Sequence, residues 1–170
     1  KQGGLGTFQS FGVKGGLVYK KGELEPYTGE MLISRPHNLT QVRKYAKGMR
    51  HGLWHLKNEQ GVIISEIVYE LNKLDQDAST ERLAKLFETN SHKYSKDPEI
   101  PALTAMELAQ HHYHAQEYRK SLEYTVQAMR LVDSDNSIYR TALVQKGRTH
   151  NHLGKYHESE TQLLRAVKLV

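Results

Sequence analysis

The sequence predicts an α+β protein, an antiparallel β-meander followed by helical hairpins, and three observations lead there. From Leu17 to Tyr69 apolar and polar residues alternate with period two, and glycines punctuate the runs. From about Asp75 the spacing of apolar residues changes to three and four. The two prolines Pro98 and Pro101 then separate a first helical stretch from two longer helical pairs. This gives a glycine-rich flexible lead-in over 1–16, a β-sheet over 17–72, a capping helix and linker over 73–101, and helical repeats over 102–170.

Residues 1–16 carry six glycines. Phe8, Phe11 and Val13 offer an alternative to a flexible lead-in, an edge strand. "LVYKKGE" is a short strand running into a turn at Lys21-Gly22. "PYTGEMLIS" turns at Thr28-Gly29 and continues as a strand. Three strands are expected near 41–46, 52–57 and 62–70. Gly48, Gly52 and Gly61 stand where a turn needs positive φ or where an aromatic ring lies on bare backbone. Trp54 shares a strand face with Leu56, so the two are expected to bury together, with stacked aromatics adding area to a narrow sheet.

These residues resemble a repeat family. Tyr45-Ala-Lys-Gly48-Met-Arg-His51-Gly52-Leu53-Trp54, then Asn58 to Gly61 and Ile67-Val-Tyr69, is similar to the MORN-type repeat of bacterial YwqK-like antitoxin proteins. "GELEPYTGE" over 22–30 resembles the segment that opens such arrays. The first unit departs from the pattern, because "ISRPHNLTQ" replaces the expected Gly turn. The resemblance covers about 17–72 and implies an antitoxin-like protein that neutralises a cognate toxin as one functional possibility.

In "DQDASTERLAKLFETN", Asp77 or Ser79 is the expected N-cap, with Leu83, Leu86 and Phe87 at helical spacing. The helical pairs are "ALTAMELAQHHYHAQEYRKSLEYTVQAMRLVDSD" and "RTALVQKGRTHNHLGKYHESETQLLRAVKLV". Aligning Tyr118 with Tyr156 also aligns Ser121 with Ser159, Ala128 with Ala166 and Leu131 with Leu169. That set is similar to the tetratricopeptide repeat (TPR), whose small residues let paired helices approach closely. Gly147 and Gly154 match its glycines, while the first unit has Ala109 and Gln116 there. His112 and His150 stand where a Tyr is usual, and the usual Trp is missing from both units. The offset of 38 residues exceeds the usual 34 or so, so "DSDNSIY" lengthens the connection or its flanking helices. The helix at 79–91 would cap one end. At Val170 the pattern calls for another helix or for a partner on the last apolar face. Because the first residue is Lys1 rather than Met, an upstream signal peptide, tag or further domain is expected.

The TPR resemblance implies a groove lined by the first helix of each unit: Met106, Gln110, Tyr113 and His114, then Val144, Arg148, Asn151 and His152. An Arg, an Asn and a Tyr converging there make a peptide- or carboxylate-binding set. Gln110, Tyr113, His114, Arg148, Asn151 and His152 are the expected partner contacts. A second candidate is a basic sheet face of Arg35, Arg43, Lys44, Lys47, Arg50, His51 and Lys57. It could meet an acidic partner or anionic lipid, or Lys44 and Lys57 could simply keep sheet edges soluble.

Other chemistries find little support. The chain of 170 residues has no cysteine, which excludes disulfides and thiolate zinc sites. His111 and His114 at i, i+3 could chelate a divalent ion, but no Asp or Glu accompanies them in an HExxH-like arrangement, so no metal and no cofactor are expected. His150 and His152, two apart, point to different helix faces. No GxSxG, P-loop or strand–helix GxGxxG occurs. The net charge of +5 is concentrated in residues 1–72, where ten Lys/Arg face six Asp/Glu; it is too weak to mark a nucleic-acid binder. The expectation is a non-enzymatic interaction protein that binds another protein or peptide, without nucleic acid and with peripheral membrane contact only a minor possibility. No run approaches the roughly 18 apolar residues of a spanning helix, and either cytoplasm or periplasm is compatible.

Overall fold

The computed structural model describes residues 6–7 and 11–169. It is α+β, with sheets first and five helices after them. The chain divides into two compact units, Lys1–Arg82 and Leu83–Val170.

In the first unit the strands are β1 (Gly6–Thr7), β2 (Phe11–Lys14), β3 (Leu17–Lys20), β4 (Gly29–Arg35), β5 (Leu39–Ala46), β6 (Met49–Arg50), β7 (Gly52–Lys57), β8 (Ile63–Glu70) and β9 (Lys73–Asp75). The main sheet runs β1-β4-β5-β7-β8-β9, with β6 added to β5, and β2 pairs only with β3. All pairings are antiparallel except that of β1 with β4. The three strands expected near 41–46, 52–57 and 62–70 are β5, β7 and β8. The flexible lead-in needs correcting over its described part: Phe11 and Val13 lie in β2, paired with Lys20 and Val18. Phe8 lies outside the described residues.

Period two sends Met31, Tyr45 and Trp54 to one face of the main sheet, where they form a buried cluster. Trp54 and Leu56 are both buried, at 5% and 4% exposure. A ladder of rings runs Phe11, Tyr27, Tyr45, Trp54, Tyr69, with successive centroids 4.7, 6.2, 5.6 and 4.5 Å apart. The indole Nε1–H donates to the Lys44 carbonyl at 2.9 Å, so the buried ring leaves no polar atom unpaired. Gly48, between β5 and β6, is where a close approach to β3 needs bare backbone. Its φ is +76°, and a Cβ there would come within 2.9 Å of the Leu17 Cβ and 3.0 Å of the Val18 nitrogen. Hydrogen bonds from Val18 N–H to the Gly48 carbonyl and from Gly48 N–H to the Tyr27 carbonyl hold that approach. Where the glycine turn was missing, Pro36, His37 and Asn38 make the β4–β5 loop, with His37 and Asn38 at φ 61° and 55°.

The helices are α1 (Gln76–Lys93), α2 (Glu99–His114), α3 (Tyr118–Leu131), α4 (Ser137–His152) and α5 (Tyr156–Lys168). Neither Asp77 nor Ser79 caps α1. Asp75 does, its carboxylate accepting from Ala78 N–H at 3.0 Å. Ser79 is buried, and its hydroxyl accepts from Val68 N–H at 2.9 Å. The hydrogen-bonding demand of β8 has taken the side chain that local sequence would assign to the helix end. In the second unit, Phe87 of α1 packs on a core of Ala102, Ala105, Met106, Ala128, Ile138 and Ala142. Asn90 donates to the Thr104 hydroxyl beside it.

The helix bounds repeat with the sequence offset. Adding 38 to Glu99–His114 gives Ser137–His152, and adding it to Tyr118 gives Tyr156, the first residue of α5. "SIY" of "DSDNSIY" therefore belongs to α4, whose first turn is capped by Asn136 accepting from Ile138 N–H at 2.8 Å.

Candidate functional site

The candidate surface depends on two matched turns. α2 begins at Glu99 because Pro98 precedes it and Pro101 falls in the first turn, where a missing N–H removes no helical bond. It ends where Gln116 takes φ 63°, and Glu117 N–H then donates to the His112 carbonyl. α4 ends the same way, with Gly154 at φ 72° and Lys155 N–H donating to the His150 carbonyl. Gln116 thus occupies a backbone conformation in which Gly is favoured, and the first unit makes the turn without the glycine.

These turns bring four rings together. His152 stacks on Tyr118, centroids 4.6 Å apart and planes 11° apart. Tyr113 meets His152 edge-on at 5.2 Å, Tyr118 at 5.6 Å and His114 at 5.8 Å. Tyr113 is half-buried, while His114 and His152 are exposed. One helical turn away, Gln110 and Arg148 line a cleft of about 520 Å³ with Arg140, Val144, Leu163 and Val167. Asn151 is exposed, and its carbonyl accepts from Gly154 N–H.

Of the six expected contacts, Tyr113, His114 and His152 therefore form one aromatic group, Gln110 and Arg148 share a cleft, and Asn151 belongs to neither. Met106 does not line a groove: at 4% exposure it belongs to the core. Tyr118 was a repeat-matching position in the sequence and is here the partner of His152. The signal that could have found it is its place at the start of α3, directly after the turn.

The histidines separate by face. His111 is buried and His114 exposed, so the i, i+3 pair does not share an open surface. His150 is buried and His152 is not, as a two-residue spacing requires. Among the described residues no group of three His, Asp or Glu is arranged to hold a metal ion. Nδ1 of His112 lies 2.6 Å from a carboxylate oxygen of Glu117, which also takes a hydrogen bond from Lys120 at 2.9 Å. Lys120 first, and His112 second, hold the Glu117 carboxyl below its usual range. Nδ1 of His150 is buried without a hydrogen-bond partner. Burial, reinforced by the charge of Lys146, pushes that imidazole below its ordinary value.

The basic sheet face is corrected by register. Arg43 and Lys44 are neighbours in β5 and so point to opposite faces. Arg43 lies over the Trp54 ring at 4.8 Å and Arg50 over Tyr69 at 4.7 Å. Lys44 pairs with Glu30 at 3.3 Å on the other side. Nor do Lys44 and Lys57 guard sheet edges, since β5 and β7 are both interior strands.

No helix among the described residues is long and apolar enough to cross a membrane. Compared with known proteins, the chain matches no family model, and no curated protein is significantly similar to it.

Proposed function

We propose that this protein is a non-enzymatic interaction protein, made of MORN-like β-hairpins and TPR-like helical hairpins, that captures another protein or peptide on the helical unit. The observation that carries the reading is the ring group around His152. At a helix–turn–helix end Tyr118 and His152 stack, Tyr113 packs edge-on against both, and the group remains open to solvent on one side. Packed rings of this kind lose little side-chain entropy on binding and give a partner apolar area with polar tips. Arg148 and Gln110 add a fork of donors and an amide one turn away, suited to a carboxylate or a peptide backbone.

The repeat assignment is supported by the 38-residue correspondence of helix bounds and turns, and by the ring ladder of the sheet, in which Gly29 lies against the Tyr27 ring. Repeat units of this type bind by shape and need no chemistry. The test is a double replacement, Arg148→Ala with Asn151→Ala. Both side chains are exposed, so helical content by circular dichroism stays unchanged while pull-down of the partner weakens. Undiminished capture by the double variant removes this groove as the binding surface.

A further inference from the structure

Two buried histidines stand at the same place in the two helical hairpins. His112 and His150 are 38 residues apart, each in the last turn of the first helix of its pair. The carbonyl of each accepts the N–H five residues on, from Glu117 and from Lys155, and so closes the turn. The side chains meet opposite surroundings. Nδ1 of His112 has the Glu117 carboxylate at 2.6 Å, and its ring stacks on Tyr124 with planes 2° apart. In the second hairpin the corresponding residues are Lys155 and Gln162. Nδ1 of His150 is buried without a hydrogen-bond partner, the one such side-chain atom among the described residues.

An imidazole nitrogen left without a partner is a protonation site, and here the fold keeps water from it. A charge formed on the closed ring loses its hydration and finds no carboxylate on Nδ1, which costs more than an unmet neutral acceptor. The charged groups around it come from three places. After burial itself, Lys146 of α4 opposes the proton, and Lys155 of the turn adds to it. Glu158 of α5 acts the other way, through a backbone hydrogen bond and its carboxylate. An imidazolium at His112, by contrast, keeps Glu117 as its anionic partner.

We propose that His150 is an acid-released latch on the α4–α5 hairpin: in mild acid its uptake of a proton opens this turn locally, while the α2–α3 turn, with Glu117 in place of Lys155, stays closed. The opening is local because few bonds hold the turn. Leu153 N–H donates to the Thr149 and His150 carbonyls at 3.1 Å, and Lys155 N–H donates to the His150 carbonyl at 2.9 Å. These bonds break without unfolding of the sheet or of the α2–α3 hairpin. His152 lies in the same last turn of α4, so the opening reaches the ring group. The latch is independent of whether that group binds a partner.

The test is amide hydrogen exchange on the full chain, followed by NMR between pH 7.5 and 5.5 and converted to opening constants with the intrinsic exchange rate at each pH. The closed turn holds the ring neutral, and the opened turn lets it titrate near its ordinary value of about 6.5. Opening at Leu153 and Lys155 should therefore rise several-fold across this range, up to about tenfold. The matching amides of the first hairpin, Ala115 and Glu117, should change by less than about twofold. Lys155→Glu, at an exposed position, gives Nδ1 the carboxylate that Glu117 gives His112 and should flatten the response, with the fold checked by circular dichroism. His150→Gln removes the titrating ring and should flatten it too, even if that turn opens more at every pH. A rise below about twofold at Leu153 and Lys155 overturns the proposal. So does an equal rise at both hairpins, or a response that survives either substitution.

Discussion

Glu117 faces His112 across 2.6 Å, and 38 residues later the same turn sets Lys155 after His150. The two units share backbone and ring, and they differ in the sign of the charge that follows. His112 therefore has a carboxylate to hydrogen-bond, whereas the Nδ1 of His150 is orphaned and cationic neighbours oppose its protonation.

Acid should destabilise the fold partly through His150. Its pKa is lowered on folding, so the unfolded chain takes up the proton first. The stability contributed by the neutral buried ring is complete above about pH 6.5 and is lost as pH falls through the folded value. His55, lowered mainly by burial, acts in the same direction. Replacing His150→Leu should raise stability at pH 5.5 and flatten the slope between pH 7 and 5.5; thermal melts across that range check it. An unchanged slope would assign the pH dependence elsewhere.

Glu117→Gln should cost about 1 kcal/mol near neutral pH, the scale of one hydrogen bond with a partly exposed acceptor. The Glu117 carboxyl titrates lower in the folded chain, so its contribution is present above the ordinary carboxylate range and is lost as pH falls through the folded value. The cost of the variant should accordingly shrink in strong acid. Urea unfolding at pH 7 and pH 3 measures both.

Gln116→Gly should stabilise the helical unit by up to about 1 kcal/mol. Gln116 holds φ 63°, a left-handed conformation costly for a residue with a Cβ, and Gly154 already fills the equivalent place. A rise in melting temperature followed at the helical signal is expected.

Gly48→Ala should be among the most damaging single changes in the sheet. It combines positive φ with close contacts to Leu17, Pro26 and the Val18 backbone, which cannot swing aside like a long side chain. A loss of about 2 kcal/mol or more is expected, whereas Gly61→Ala, with open space around it, should lose only the φ term of about 1 kcal/mol. Denaturant titrations of the two variants in parallel test the ordering.

Trp54→Ala should cost about 3–5 kcal/mol, the range for removing a buried aromatic. It breaks the ladder between Tyr45 and Tyr69 and leaves the Lys44 carbonyl without its indole donor. Because Trp54 is the only tryptophan, its fluorescence in the parent chain reports on the first unit, and Val18→Ala, in the same cluster, should shift that transition by a smaller amount.

By itself the sequence determined the succession of elements. Alternation in Ile63 to Tyr69, the glycines at 48, 52 and 61, and the helical spacing after Asp75 are local signals, and a residue's neighbours along the chain suffice to read them. The 38-residue spacing that matches Ser121 to Ser159 and Ala128 to Ala166 recurs in the helix bounds, because a repeated sequence meets repeated surroundings. Tertiary structure alone decided which groups meet. Register put Arg43 on Trp54 and Lys44 on Glu30, although the two cations are adjacent in sequence. A hydrogen bond from β8 took Ser79 away from the helix end, and packing of α2 with α3 drew Met106 into the core and left Tyr118 against His152. Such pairings depend on strand order, turn conformation and the distance between helix axes. Local periodicity carries no information about those quantities.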